Sequence, residues 1–279
     1  MVKINPIQAF LWTFRRNEKD VVNLYNSLSQ LMQLATESNM LNFGYWKEET
    51  KDPKEAQNEL CKMVGKISEL SSAKQILDAG SGFSAPAIKW KSEYGSIRII
   101  CVNTNFRQLS STEIVNEITN INATSLNLPF SNQSVDRVIA LESAQHFKPL
   151  DNFIFESKRV LKPKGILVLA IPVILDKKLI SSFKLGILSI SWLSEHYALD
   201  DIKKILGNIG FEIKDIQNIG SNVYSPLANY YIQNRDMIKN KILKKYPAYL
   251  EKILFKSLVK MKKLSQKKII DYTIIKCRL

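Results

Sequence analysis

The sequence predicts an α/β protein built on a mostly parallel sheet covered by helices on both faces. Three observations carry that expectation. From Ile76 onward, short apolar runs rich in Ile and Val alternate with helical stretches, the order expected of a sheet built from successive crossovers. The first run ends at a carboxylate followed by two glycines, Asp78-Ala79-Gly80-Ser81-Gly82, which suits a sharp strand-to-helix turn where the backbone passes close to a ligand. No repeat, low-complexity tract or linker divides the chain.

Taken in order, residues 1–71 read as helical with one break. Residues 19–37 place Val21, Val22, Leu24, Leu28, Leu31 and Leu34 near helical spacing. Asn42-Phe43-Gly44-Tyr45-Trp46 interrupts them with a glycine and adjacent aromatics, a polar stretch follows over 47–54, and a second helix is expected over 55–70. The glycine turn then opens a helix from about Pro86 toward Tyr94, whose free amides face whatever lies over the turn. Strands are expected over 75–78, 96–103, 117–122, 135–141 and 165–171, with 211–219 and 271–278 at the end. Helices include 153–161 and 199–208, the latter ending at Gly210 before a strand.

With 279 residues and 45% apolar content, the chain can bury one large core. The expected division is a helical N-terminal lid over 1–71 and a main domain over 72–279 with inserts at 173–197 and 220–268. The longest apolar run, 165–175, is too short to span a bilayer, and the N-terminus lacks a secretory core, so a cytoplasmic protein is expected. Cys61, Cys101 and Cys277 have no metal-type spacing, and only His146 and His196 supply imidazoles, so no metal is expected.

The net charge of +14 favours anionic partners. Twelve Lys or Arg residues fall within 235–268, interleaved with Leu250, Ile253, Leu254, Leu258, Met261 and Leu264 at helical spacing. Such a segment either lies on an anionic membrane surface or is an ordinary packed helix with a solvated lysine face.

Ligands of such sheets bind outside the carboxyl ends of the central strands. There the chain places Asn103-Thr104-Asn105, then Asn122-Ala123-Thr124 running into the apolar 126–130 stretch, then Leu141-Glu142-Ser143-Ala144-Gln145-His146-Phe147. An Asn at the second strand end can bond ribose hydroxyls, though it lacks the carboxylate usual in dinucleotide folds. His146 is the candidate general base, because an imidazole near its ordinary pKa can take a proton from a hydroxyl. His196 sits in a loop that could face the pocket.

Together these motifs carry a family resemblance. Asp78-x-Gly80-x-Gly82, Asn103, Leu128-Pro129-Phe130 before Val135-Asp136-Arg137-Val138, Glu142-Ser143-x-x-His146 and Arg159-Val160-Leu161-Lys162-Pro163-Lys164-Gly165 resemble a Rossmann-like S-adenosylmethionine-dependent methyltransferase. With Asn222-Val223-Tyr224-Ser225-Pro226-Leu227 and the Asn42–Trp46 motif, the likeness narrows to the small-molecule branch, which includes macrolide and sugar O-methyltransferases and tocopherol and sterol C-methyltransferases.

The resemblance implies a seven-stranded sheet with the last strand antiparallel. It implies S-adenosylmethionine over the glycine turn, with Asp78 near its amino group, ribose at Asn103 and Thr104, and adenine at Ala123 and Thr124. Tyr25, Tyr45 and Trp46 would close over the sulfonium and acceptor, since aromatic faces attract cations. Glu142 would touch cofactor or orient a partner, His146 would act as base, and Tyr224 would meet the acceptor. The histidine of the family motif sometimes stands one residue earlier, where this chain has Gln145. Ser84 replaces a frequent third glycine, neutral residues replace two acidic positions, and Lys164 replaces the usual glycine before Gly165.

The inserts would roof an apolar or lipid-like acceptor, with O-methylation the leading expectation and C-methylation of an isoprenoid the alternative. A nucleic-acid methyltransferase fits the charge, but Leu141-Glu142-Ser143-Ala144 stands where amino-directed enzymes carry an Asn/Asp-Pro-Pro-aromatic motif. A nicotinamide dehydrogenase fits the glycine turn alone, and a non-catalytic cofactor-binding scaffold stays open.

Overall fold

The computed structural model describes residues 17–175 and 195–279. Its strands are β1 (Gln75–Ala79), β2 (Arg98–Asn103), β3 (Ile118–Asn122), β4 (Val135–Leu141), β5 (Leu161–Ile174), β6 (Glu212–Asn218) and β7 (Ile270–Arg278). They form one seven-stranded sheet in the order β3-β2-β1-β4-β5-β7-β6. The first five pair in parallel, and β7 runs antiparallel to both β5 and β6. The sheet thus has the expected plan. Strand β5 extends past both expected ends because β7 pairs with it through Ile174 and Val135 pairs with Leu161.

Nine helices accompany the sheet among the described residues: α1 (Glu18–Thr36), α2 (Pro53–Ile67), α3 (Ala85–Tyr94), α4 (Phe106–Ser110), α5 (Leu150–Val160), α6 (Leu199–Ile209), α7 (Tyr224–Gln233), α8 (Arg235–Leu243) and α9 (Ala248–Gln266). Local chemistry sets several ends. Asn17 caps α1 through Asp20 N–H, and Asp52 caps α2 through Glu55 N–H with Pro53 at the first helical position. Lys164 takes φ +63°, doing the left-handed work that glycine does elsewhere, so that replacement leaves the turn intact.

Two apolar layers sandwich the sheet. One contains Trp90, Ile76 and Tyr272 and continues into α1, α2, α7 and α9, while the other contains Leu77, Val138, Phe153 and Ile202 under α5 and α6. The basic segment is two helices, not one, broken at 244–247 before Pro247. The apolar stripe of α9 faces inward: Leu250, Leu258, Met261 and Leu264 are buried. Of the two arrangements open to this segment, its apolar face takes the packed one. No helix among the described residues is long and apolar enough to cross a membrane. Most of the expected 173–197 insert lies outside the described residues.

Candidate active site

Strand order reverses between β1 and β4, so the crevice beyond their carboxyl ends is where a doubly wound sheet binds ligand. Gly80 and Ser81 N–H both donate to the Val102 carbonyl, at 2.7 and 3.1 Å, which folds the turn back over β2. Gly80 has φ +76°, and a Cβ there would fall inside the Ser143 side chain. Gly82, at φ +57°, borders open space. Only the first glycine is therefore demanded by crowding.

Beneath the turn, Asp78 is buried and its Oδ2 has no hydrogen-bond partner, and desolvation pushes its carboxyl up to about 7. This orphan carboxylate oxygen lies beneath the glycine bend and outside the lining of the cavity above, and its chemistry fits a ligand carrying an amino group. The cavity above is lined by Gly80, Ser81, Gly82, Asn103, Thr104, Glu142 and His146, with Tyr25 from α1.

The second strand end behaves differently from expectation. Asn103 Nδ2 donates to the Gly82 carbonyl (3.1 Å) and to Gln108 Oε1 (3.0 Å), and its Oδ1 accepts from Asn105 N–H. Its amide hydrogens hold the glycine turn, so at most its oxygen is left for a ribose hydroxyl. Ala123 and Thr124 do not line the cavity, and Thr124 instead bonds Glu18, which does. Asn122 spends its amide on the Asn103 and Thr104 carbonyls. Ser84, in the third-glycine position, adopts φ +55° and bonds Asn120.

After β4, Glu142 takes φ +51° and its N–H donates to the Ala170 carbonyl, turning the chain sharply into the short 3-10 turn Ala144–His146. This turn brings His146 toward the lid. Tyr25 Oη and His146 Nε2 lie 2.9 Å apart with their rings edge to face. Glu142 Oε1 accepts from Phe43 N–H (2.8 Å) and from Tyr272 O–H (3.0 Å). Burial outweighs both bonds and pushes its carboxyl up to about 8. Burial, assisted by Glu142, also drives the Tyr25 phenol far up, so it stays protonated.

Beyond the lid lies a second cavity of about 250 Å³, walled by Leu24, Leu28, Leu31, Met32 and Phe43 on one side and Leu227, Tyr230, Ile253, Leu254 and Met261 on the other. Five residues, Tyr25, Leu41, Asn42, Glu142 and His146, border both cavities. A polar chamber over the glycine turn and an apolar chamber under α7 and α9 thus meet at a Tyr–His pair and a buried carboxyl.

Several expected site residues lie elsewhere. Tyr45 faces a separate surface hollow, and Trp46 is buried against Tyr230 at 5.6 Å between ring centres. Gly44, at φ +95°, runs so close to Ala56 that a side chain would not fit, Trp46 bonds Asn222 through its backbone, and Phe43 rather than the next two aromatics borders the chamber. Tyr224 stands one layer back, ring to ring with Phe43 at 5.7 Å, its hydroxyl donating to the Asp271 carbonyl. His196 lines neither cavity. Sequence reading passed over Gln57 and Gln145 as site residues, since polar residues on a helix and in a short turn carry no periodic signal.

Residues 77–169 match the family model of a methyltransferase domain. The chain is 27% identical over 244 residues to erythromycin 3''-O-methyltransferase of Saccharopolyspora erythraea, covering 80% of this chain and 78% of that one. Among solved structures it is similar to the [4+2]-cyclase SpnF, with TM-score 0.75 and 18% identity, covering 94% of this chain and 96% of that one. It is also similar to the mycolic acid cyclopropane synthase CmaA1 solved with SAH and CTAB, with TM-score 0.75 and 15% identity over 90% of this chain and 94% of that one.

Proposed function

We propose that this chain is a Rossmann-like S-adenosylmethionine-dependent methyltransferase that methylates an oxygen of an apolar or lipid-like small molecule, with His146 as the general base; the methyltransferase-domain match and the likeness to a curated O-methyltransferase support the reading. The observation that carries this reading is the seam. Tyr25, Leu41, Asn42, Glu142 and His146 belong at once to the glycine-turn cavity and to the apolar chamber, so donor and acceptor would meet there. The name of the Saccharopolyspora relative supports oxygen as the target.

S-adenosylmethionine, when bound, supplies a methyl group on a sulfonium for in-line displacement by the acceptor. Asp78 and the Gly80 turn would hold its amino-acid end, with Thr104 and the Asn103 oxygen toward its sugar. The protein's remaining tasks are alignment, exclusion of water and removal of one proton. In the tautomer that carries its proton on Nδ1, His146 Nε2 accepts from Tyr25 O–H, and that nitrogen is the proton acceptor. An acceptor hydroxyl beside the Tyr25 oxygen passes its proton there as Tyr25 passes its own to Nε2, leaving a neutral phenol and an imidazolium. The high phenol pKa keeps Tyr25 a relay instead of a phenolate.

Glu142 favours one second reading, C-methylation. A carboxyl buried at the seam and able to ionise near neutral pH would stabilise positive charge developing on a carbon acceptor. Incubating the protein with methyl-labelled S-adenosylmethionine and hydroxylated apolar compounds or a lipid extract tests both readings. Label attached through oxygen supports the first, label on carbon supports the second, and no transfer despite nucleoside binding refutes both.

The reading extends to where the acceptor comes from. The outward face of α9 carries Lys252, Lys256, Lys260 and Lys263 on one helical stripe, none ion-paired among the described residues. With the apolar face of α9 turned inward, contact with an anionic membrane would be electrostatic and peripheral.

A further inference from the structure

The apolar chamber contains three carboxamides that an apolar ligand would leave unsatisfied. Gln57, Gln145 and Asn42 all line it, at 1%, 6% and 6% exposure. Gln57 Nε2 donates to the Met40 and Asn42 carbonyls at 3.1 and 2.6 Å, and Gln145 Nε2 donates to the Glu142 carbonyl at 2.7 Å. A carbonyl accepts only from the nitrogen end of an amide, so these bonds fix the orientation of both side chains. Their Oε1 atoms are buried without a hydrogen-bond partner, as are Oδ1 and Nδ2 of Asn42.

Buried polar atoms without partners are strongly disfavoured, and leucine or methionine would fill the same space without that penalty. Three such residues around one chamber mark positions where something else supplies the donors. Gln57 has spent both amide hydrogens and Gln145 one of its two, and the unpartnered atom of each is an acceptor oxygen, which selects a hydroxyl. Asn42, at the seam, offers both a donor and an acceptor.

We infer that the acceptor is an apolar skeleton bearing several hydroxyl groups, with two hydroxyls donating to Gln57 Oε1 and Gln145 Oε1 and Asn42 bonding the oxygen nearest the reacting position. A plain hydrocarbon tail is the wrong ligand for this chamber. The inference rests on the methyltransferase reading, in which this chamber holds the acceptor, and it names the acceptor's class.

The test is a set of three probes of one skeleton, p-menthane, menthol and p-menthane-3,8-diol, added to protein saturated with S-adenosylhomocysteine. Affinity is read by displacement of a naphthalene fluorophore from the chamber. The quantity of interest is the diol-to-hydrocarbon affinity ratio. Gln57→Leu and Gln145→Leu should each lower it by about 3- to 10-fold, the span of one hydrogen bond. Gln57→Met and Gln145→Met, closer in shape, should lower it equally and serve where a leucine variant fails to fold. A ratio unchanged in the variants, or no displacement by any probe, overturns the inference. Nucleoside binding, titrated separately, distinguishes the two failures: normal binding with an unchanged ratio sinks only the hydroxyl inference, whereas absent binding sinks the methyltransferase reading beneath it.

Discussion

The Tyr25 hydroxyl lies 2.9 Å from Nε2 of His146, a contact between residues 121 apart in sequence that joins α1 to the turn after β4. Because it ties the first helix to the candidate base, the position of α1 and the readiness of the imidazole are linked. His146→Ala should therefore lower turnover by about 10²- to 10⁴-fold with nucleoside affinity nearly unchanged. Tyr25→Phe, which removes the relaying hydroxyl, should lower it by a comparable factor. Steady-state kinetics on both and on the double variant would check this, and additive losses would argue against a shared proton path.

The two glycines of the turn should differ. A Cβ at Gly80 would occupy the space of Ser143, so Gly80→Ala should abolish nucleoside binding and shift the turn itself. Gly82→Ala meets no neighbour and carries only the strain of its positive φ, about 1 kcal/mol, so binding should survive. Isothermal titration with S-adenosylhomocysteine, paired with thermal melts, would tell them apart.

Glu142 should make the ligand-free protein less stable as pH rises. Its folded carboxyl is pushed up from 4.5 to about 8, so the folded state keeps a proton that the unfolded chain has already lost. The resulting stability is full below about 4.5 and disappears as pH climbs through about 8. Melting temperature should fall across that window, and Glu142→Gln should flatten the fall, with the Asp78 contribution, lost as pH climbs from 3.8 to about 7, remaining. Identical pH profiles for both proteins would show that Glu142 is not the group responsible.

The acceptor chamber can be closed from its roof. Leu254→Trp adds a large ring to a wall of the 250 Å³ chamber and leaves the glycine turn untouched. Apolar probes should lose affinity by about tenfold or more while S-adenosylhomocysteine binds as before, since overpacking of a filled wall is costly. Parallel loss of both ligands would mean that the two cavities are not separate.

Charge reversal at Lys252, Lys256 and Lys263 together addresses the membrane proposal. Sedimentation with vesicles containing anionic lipid should fall toward the value seen with neutral vesicles, and raised salt should do the same to the unaltered protein. If the unaltered protein sediments no better with anionic than with neutral vesicles, α9 is only a solvated lysine face.

The sheet was legible because its signals are local. Ile76–Leu77 before Asp78, the paired glycines, and alternating apolar runs fix each strand through backbone preference and side-chain period, and the observed bounds of β4 match the expected ones at both ends. Asp78, Gly80 and His146 could be picked out for the same reason, since each stands at the end of a legible strand or just beyond it. Tyr45, Trp46, Ala123, Thr124 and Tyr224 could not be placed, because residue type tells nothing about which way an irregular segment turns. Phe43 reaches the chamber and Trp46 the core across Gly44, whose positive φ and close approach to Ala56 leave no room for a side chain.

What the sequence by itself determined is the mostly parallel sheet, the glycine turn and the carboxylate beneath it, all written in residues near one another along the chain. Only the tertiary structure decided that α9 turns its oily face inward, that Gln57 and Gln145 border the apolar chamber, and that Tyr25 meets His146. Those are contacts between segments far apart in sequence, and their geometry follows from how whole layers pack, which no local pattern of residues encodes.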